Sequence, residues 1–261
     1  MLQAERHRAI LGLLVNGALV ETEALSARLR VSSETIRRDL RLLEEEGKLV
    51  RVRGGAAARH EPVGVEPSYL ERTTMSVEEK RAIGRCAAAL IQPGMTVMLD
   101  VGTTVLEVAR ALPDDFHGVV ATCSMPVAIE LANRPGIDLL VSGGRVRGGD
   151  LALSNGLATA FFKDLWPDVA FLASGGVEPR VGLTDYYFDE VITRRMMIEN
   201  SASSYVLADS SKIGRVAPHL VCGLGDFTAL ITDTGSGAEL EESIERAGGQ
   251  LLVASQQSPR P

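Results

Sequence analysis

Val31-Ser32-Ser33-Glu34-Thr35-Ile36-Arg37-Arg38-Asp39-Leu40-Arg41-Leu42-Leu43 is the stretch from which the fold of the chain is read. Ile36, Leu40 and Leu43 recur at i, i+4 and i+7, which is one buried stripe of an amphipathic helix. At about 100° per residue from Ile36, Arg37, Arg41 and Arg38 project at about 100°, 140° and 200°. All three arginines therefore leave the side opposite the stripe. Ser32, Ser33 and Thr35 stand at the helix start, where hydroxyls, free backbone N–H groups and the helix dipole favour a phosphate. The planar fork of an arginine suits guanine O6/N7 or a pair of phosphates. These residues are expected to face double-stranded DNA.

Working outward, a first helix is expected over about Gln3–Val15, ending near Asn16-Gly17. A second begins near Thr22 as N-cap and carries Leu25 and Leu29 on one face. The third runs from Ser32 as cap towards Glu46, with Gly47 as its stop. Lys48-Leu49-Val50-Arg51-Val52-Arg53 then alternates polar and apolar before Gly54-Gly55, a short strand or hairpin with Arg51 and Arg53 as added charge. Three helices and a small basic hairpin make a winged helix-turn-helix over residues 1–57. Residues 58–75, with Pro62, Gly64 and Pro67 and no periodicity, read as a linker.

Composition supports this division. The net charge is -7, yet residues 1–60 carry eleven Lys/Arg against eight Asp/Glu, leaving the acidic excess in the remainder. A basic end on an acidic body suits a DNA-binding segment joined to a second domain. Aromatic residues are only 4% of the chain, which argues against stacking platforms for single-stranded nucleic acid. Cys86, Cys123 and Cys222 match no metal spacing, so neither metal nor cofactor is expected, and free thiols fit a reducing cytoplasm. No apolar run reaches the roughly 18 residues of a membrane span. Arg6 and Arg8 before Ala9–Val20 imitate a signal peptide, but Asn16-Gly17 interrupts the run, and Ile10, Leu13 and Leu14 keep helical spacing.

From residue 76 to 254 helical and strand patterns alternate, the mark of a largely parallel sheet covered by helices. Apolar runs fall at Thr96–Leu99, Val119–Thr122, Asp138–Val141, Val169–Ala173, Tyr205–Ala208, Ala229–Thr232 and Leu251–Val253. Helices are expected near Val77–Ile91, Val105–Leu112, Pro126–Ala132 and Glu190–Ser201, and residues 255–261 form a polar tail. Small polar loops follow several strands, the place where open α/β sheets bind ligands. Asp100-Val101-Gly102-Thr103-Thr104 combines a glycine, two hydroxyls and a helix start, a phosphate cradle. Thr122-Cys123-Ser124, Ser142-Gly143-Gly144, Ser174-Gly175-Gly176 and Asp209-Ser210-Ser211-Lys212 follow other strands, and Lys212 offers a cation for a phosphate.

The segment Val31–Leu40, with Leu43-Glu44, Gly47, Leu49, Arg51 and Gly54-Gly55-Ala56, resembles the N-terminal signature of DeoR-type transcriptional repressors across nearly all of residues 5–58. By that resemblance Asp39 has a structural role, orienting an arginine. Asp100–Thr104, Thr122–Ser124, Gly143-Gly144 and Asp209–Lys212 resemble loops of the DeoR-type C-terminal domain over about residues 70–235. The resemblance implies a Rossmann-like phosphosugar sensor with a fold like ribose-5-phosphate isomerase. Cys123 departs from it, standing where asparagine is usual.

The expected protein is a cytoplasmic, sequence-specific DNA-binding regulator, a repressor of carbohydrate or related metabolic genes. Its partners are an operator, a small phosphorylated metabolite and further copies of itself, as a dimer or tetramer. The effector residues are Asp100, Gly102, Thr103, Thr104, Thr122, Cys123, Ser124, Gly143, Gly144 and Lys212. An enzymatic alternative, a sugar-phosphate isomerase fused to a DNA-binding module, needs a carboxylate base over the sugar. The loop at Ser174–Val177 has none, and Glu178, Asp189 and Glu190 read as surface or helix-start carboxylates. A purely architectural DNA protein leaves the Gly-Thr-Thr loop and Lys212 without a purpose.

Overall fold

The computed structural model describes residues 3–14, 19–45, 48–52, 54–58, 66–233 and 238–255. The chain divides into two compact units, residues 1–63 and 64–261. In the first, α1 (Gln3–Leu13), β1 (Leu19–Glu21), α2 (Thr22–Leu29), α3 (Ser33–Glu45), β2 (Leu49–Val52) and β3 (Gly55–Ala58) follow one another. The stripe Ile36, Leu40 and Leu43 closes on Ile10, Leu14, Leu25 and Leu49 in one apolar core. Arg30, at the C-terminal end of α2, takes a left-handed backbone (φ 55°), and its N–H donates to the Ser26 carbonyl. That tight reversal leaves only Val31 and Ser32 between Arg30 and the start of α3.

The wing is larger than the single strand or hairpin read from the sequence. Three strands pair antiparallel in the order β1-β3-β2, with β1 supplied from the segment between α1 and α2. Gly55 is required where β3 crosses β1, since a Cβ there would lie 2.2 Å from the Val20 carbonyl oxygen. Thr22 is the first residue of α2 rather than its cap. Glu21 holds the cap position without a side-chain bond, and the Thr22 N–H donates to the Gly54 carbonyl at 2.8 Å. Asn16, Gly17, Gly47, Arg53, residues 59–65 and the tail 256–261 lie outside the described residues.

The second unit begins with two helices, α4 (Tyr69–Thr74) and α5 (Val77–Ala88). Then come β4 (Thr96–Leu99), α6 (Thr103–Ala111), β5 (Gly118–Thr122), α7 (Met125–Leu131) and β6 (Ile137–Val141). A small hairpin of β7 (Arg145–Val146) and β8 (Leu153–Ser154) leads to α8 (Gly156–Lys163) and β9 (Val169–Leu172). β10 (Gly176–Glu178), β11 (Gly182–Asp185), α9 (Phe188–Asn200) and β12 (Ser203–Leu207) follow. Last are β13 (His219–Cys222), β14 (Ala229–Thr232), α10 (Ala238–Arg246) and β15 (Gln250–Val253).

Among the described residues, seven strands form one parallel sheet in the order β15-β14-β12-β9-β4-β5-β6. Alternation along each strand supplies both faces. Val97, Leu99, Val169 and Phe171 pack with α5, α6 and α7, whereas Met98, Ala170 and Leu172 turn to the core that holds Phe162 and Met197. The chain leaves β4 through β5 and β6 on one side, then returns to the other side at β9. The β4–β9 boundary is thus the switch point at which open α/β sheets form a crevice. Strands β10, β11 and β13 make a separate antiparallel sheet.

Helix α4 falls in a stretch that carries no periodicity. Its signal is a capping box: Glu71 N–H donates to Ser68 Oγ, and the Ser68 N–H donates to the Glu71 carboxylate at 2.8 Å.

Candidate functional site

The arginine face of α3 comes first. Ser32 caps the helix, accepting at Oγ from the Thr35 N–H at 3.2 Å and lying 2.8 Å from the Thr35 hydroxyl. Arg37, Arg38 and Arg41 are exposed, and Ser33 is partly so. Arg38 and Arg41 have no ion-pair partner among the described residues, while Arg37 lies 3.4 Å from Glu34. Arg51, on β2, is exposed with its guanidinium 3.7 Å from Glu44 and its N–H on the same carboxylate at 3.1 Å. Asp39 points the other way. It is buried and accepts from Arg6 Nε at 2.7 Å and Nη2 at 3.0 Å, with His7 Nε2 3.3 Å from Oδ1. A carboxylate on α3 is thereby turned away from its arginine face.

In the second unit a cleft open to solvent lies at the β4–β9 switch point. The loop after β4 contributes Gly102, Thr103 and Thr104, and the loop after β9 contributes Ala173 and Ser174. Thr103 and Thr104 open α6, whose N-terminal backbone donors suit an anion. Gly102 takes φ +141°, and a Cβ on it would lie 2.9 Å from that of Ala173, so no larger residue lets the two loops meet. Arg72, Lys80, Lys212 and Arg215 line the cleft with the carboxylate of Asp209. Positive side chains therefore outnumber negative ones, a polar balance suited to a small anion.

Lys212 reaches the cleft because Asp209 caps a short 3-10 turn, accepting from the Ser211 N–H at 3.0 Å. The Lys212 ammonium makes no hydrogen bond or ion pair among the described residues. Burial, then the nearby Arg215, pulls its pKa below the ordinary lysine value. Lys80 is buried on α5 and donates to the carbonyls of Arg72 (2.5 Å) and Met75 (2.7 Å), fastening the C-terminal end of α4. Burial depresses its pKa as well. Both cations gain from an anion that restores what desolvation removed. A lysine on an amphipathic helix reads as a surface residue in sequence, which is why Lys80 is not legible there.

The remaining expected effector residues stand elsewhere. Asp100 is buried beneath the cleft, with Oδ2 accepting from the Ala173 N–H at 3.0 Å and from Arg194 Nε at 2.6 Å. Cys123 is buried with its thiol 3.9 Å from Asp100 Oδ1, and burial pushes that thiol well above its usual pKa. Thr122 Oγ1 accepts from the Ser124 N–H, and Ser124 caps α7. Gly143 and Gly144 are exposed and do not line the cleft. Glu190 does stand in the first turn of α9, yet it is drawn inward between Arg194 and Arg147.

The comparisons with known proteins match this division. Residues 6–61 match the DeoR-like helix-turn-helix domain, and residues 75–234 match the DeoR C terminal sensor domain. The chain belongs to the DeoR family. It is therefore a helix-turn-helix transcriptional regulator and not an enzyme. This DeoR-family regulator is 36% identical to "HTH-type transcriptional regulator GlpR" of Haloferax volcanii, over 95% of its own length and 96% of that relative's. It is 29% identical to "HTH-type transcriptional repressor CsqR" of Escherichia coli K12, over 95% and 94%. Among solved structures, ribose 5-phosphate isomerase A of Methanocaldococcus jannaschii is similar over 51% of this chain and 53% of that one, at 18% identity and a TM-score of 0.38. No helix among the described residues is long and apolar enough to cross a membrane.

Proposed function

We propose that this regulator represses carbohydrate or related metabolic genes and leaves its operator when a phosphorylated sugar or similar metabolite binds the second unit. The observation that carries the reading is the cleft, where Gly102, Thr103 and Thr104 at the start of α6 share walls with Lys80 and Lys212. Helix N–H groups, two hydroxyls and incompletely paired ammonium groups together suit a phosphate monoester. On the other unit, Arg37, Arg38 and Arg41 with the Ser32 and Thr35 hydroxyls suit a major groove and its flanking phosphates. Palindromic half-sites call for a homo-oligomer.

Release requires that the effector bind the form that holds DNA poorly more tightly than the form that holds it well. The test is a thermal-shift panel on the full chain with phosphorylated sugars and their unphosphorylated counterparts, followed by operator release with any hit. Stabilisation by phosphorylated members alone, with loss of operator binding, is the expected result. Equal stabilisation by the unphosphorylated sugars would overturn the reading.

A further inference from the structure

Behind the cleft, and outside its lining, lies a buried cluster of charges. Arg194 on α9 is only 2% exposed and meets three carboxylates: Asp100 (Nε to Oδ2, 2.6 Å), Asp185 through Nη1, and Glu190 (Nη2 to Oε2, 3.0 Å). The other oxygen of Glu190 meets Arg147, which also pairs with Asp150. Arg72 stands 3.9 Å from Asp150 but is nearer to Glu66, at 2.8 Å. Four carboxylates thus surround two guanidiniums, an excess of negative charge that is costly to bury.

We propose that Arg194 and Glu190 are positioning residues for the anion cradle, and that a proton on Glu190 decides how fully Arg194 is given to Asp100. The proposal rests on the anion reading of the cleft.

Asp100 is the joint between the two loops of the cradle. It ends the β4 segment that leads into Gly102–Thr104, and its Oδ2 accepts the N–H of Ala173 in the loop after β9. With Glu190 neutral, Asp100 and Asp185 are the charged partners of the Arg194 guanidinium, and Glu190 offers it only a neutral oxygen acceptor. With Glu190 ionised, it is shared three ways, and one more negative charge stands behind a site meant for an anion. Both effects weaken anion binding, so binding and proton uptake are linked in the same direction.

The groups facing Glu190 come from every neighbouring element. They are Arg194 and Tyr187 from α9 and its cap, Asp185 from the end of β11, Arg147 and Asp150 from the β7–β8 hairpin, Asp100 after β4 and the Cys123 thiol after β5. Burial acts most strongly, and with Asp185 and Asp100 it outweighs the two arginines, so the Glu190 pKa is pushed up to about 8.

The test uses sulfate, which stays doubly charged between pH 7 and pH 9 and so adds no titration of its own. Sulfate affinity of the full chain is measured by thermal-shift titration at both pH values and constant ionic strength. The proteins are the parent, Glu190→Gln and Asp189→Asn, an exposed neighbour. Lys80 and Lys212 are present in all three, so their own loss of charge at high pH is common to them. The expected result is that affinity falls roughly fivefold more in the parent than in Glu190→Gln, with Asp189→Asn following the parent. Melting without sulfate confirms that each variant folds, and Glu190→Met replaces Glu190→Gln if the amide does not. The same pH profile in the parent and the Glu190 variant overturns the proposal while leaving the anion site standing. If sulfate binds the parent at neither pH, the anion reading itself falls, and this inference with it.

Discussion

Arg6 on α1 grips Asp39 on α3 through two N–H···O contacts of 2.7 and 3.0 Å, thirty-three residues apart in the chain. The pair does two things at once. It ties the first helix across the back of the third, and it removes a negative charge from the face on which Arg37, Arg38 and Arg41 are displayed. Asp39→Ala leaves Arg6 and His7 without their shared acceptor, so the DNA-binding unit is expected to melt several degrees lower and to bind operator more weakly. Asp39→Asn, which keeps an acceptor, should fall between. Unchanged melting in Asp39→Ala would show that the pair adds nothing to the fold.

Arg38 is exposed and has no ion-pair partner among the described residues, so its loss is expected to fall on DNA rather than on the fold. Arg38→Ala is expected to weaken specific binding by about 1–3 kcal/mol if it contacts a base bidentately. Its melting temperature should match the parent's. Competition assays with operator and with unrelated DNA distinguish a base contact from a phosphate contact, because loss of a phosphate contact weakens both alike.

Arg51 is held back by Glu44, whose carboxylate lies 3.7 Å from the guanidinium. Glu44→Gln should free Arg51 for the phosphate backbone and raise affinity for any duplex. The slope of log K against log salt should steepen by about one unit. An unchanged slope means that Arg51 does not reach phosphate.

Thr104 and Lys212 face the cleft from opposite loops. Thr104→Val and Lys212→Ala should leave operator binding at the parental level and abolish release by the effector, giving a repressor that stays on DNA. Release at parental effector concentrations in both variants would mean that the cleft is not the sensing site.

Glu190 also ties stability to pH. Its folded-state pKa is pushed up to about 8, above the ordinary carboxylate value, chiefly by burial. The fold therefore binds more protons than the unfolded chain in the window between those values. Its stability should fall as pH rises through about 8, rather than as pH drops. Melting temperatures from pH 6 to pH 9 should decline more steeply in the parent than in Glu190→Gln. A steeper decline in the variant would reverse the sign and refute the assignment.

The legible parts of the chain were those whose chemistry is local. The stripe Ile36, Leu40 and Leu43 marks α3 because helical period alone places those side chains on one face. Gly102-Thr103-Thr104 and Lys212 are readable because a glycine, two hydroxyls and a cation follow strands. Leu19–Glu21 gave no such signal, since its three residues become a strand only by pairing with β3 from far along the chain. Glu190 and Arg194 are spaced like an exposed i, i+4 ion pair, and nothing in the spacing says that the pair is buried. Thr122–Ser124 and Gly143-Gly144 look like ligand loops; in the structure the former join β5 to α7 and the latter border the β7–β8 hairpin.

The order of the parallel sheet has a consequence for how the protein is made. Strands β4, β5 and β6 follow one another in the sheet as they do in the chain, and β9, β12, β14 and β15 follow one another on the opposite edge, so a chain that pairs its strands in the order of synthesis can build the sheet outward from β4. No strand has to be inserted between two already paired. The vulnerable interval is the one between β6 and β9, when the open edge of β4 has nothing beside it and can pair with another nascent chain. Asp168 ends that interval: its carboxylate accepts the Thr96 N–H at 2.7 Å across seventy-two residues, at the point where β9 begins. A translational pause just before Asp168 should therefore promote aggregation more than one placed after β12.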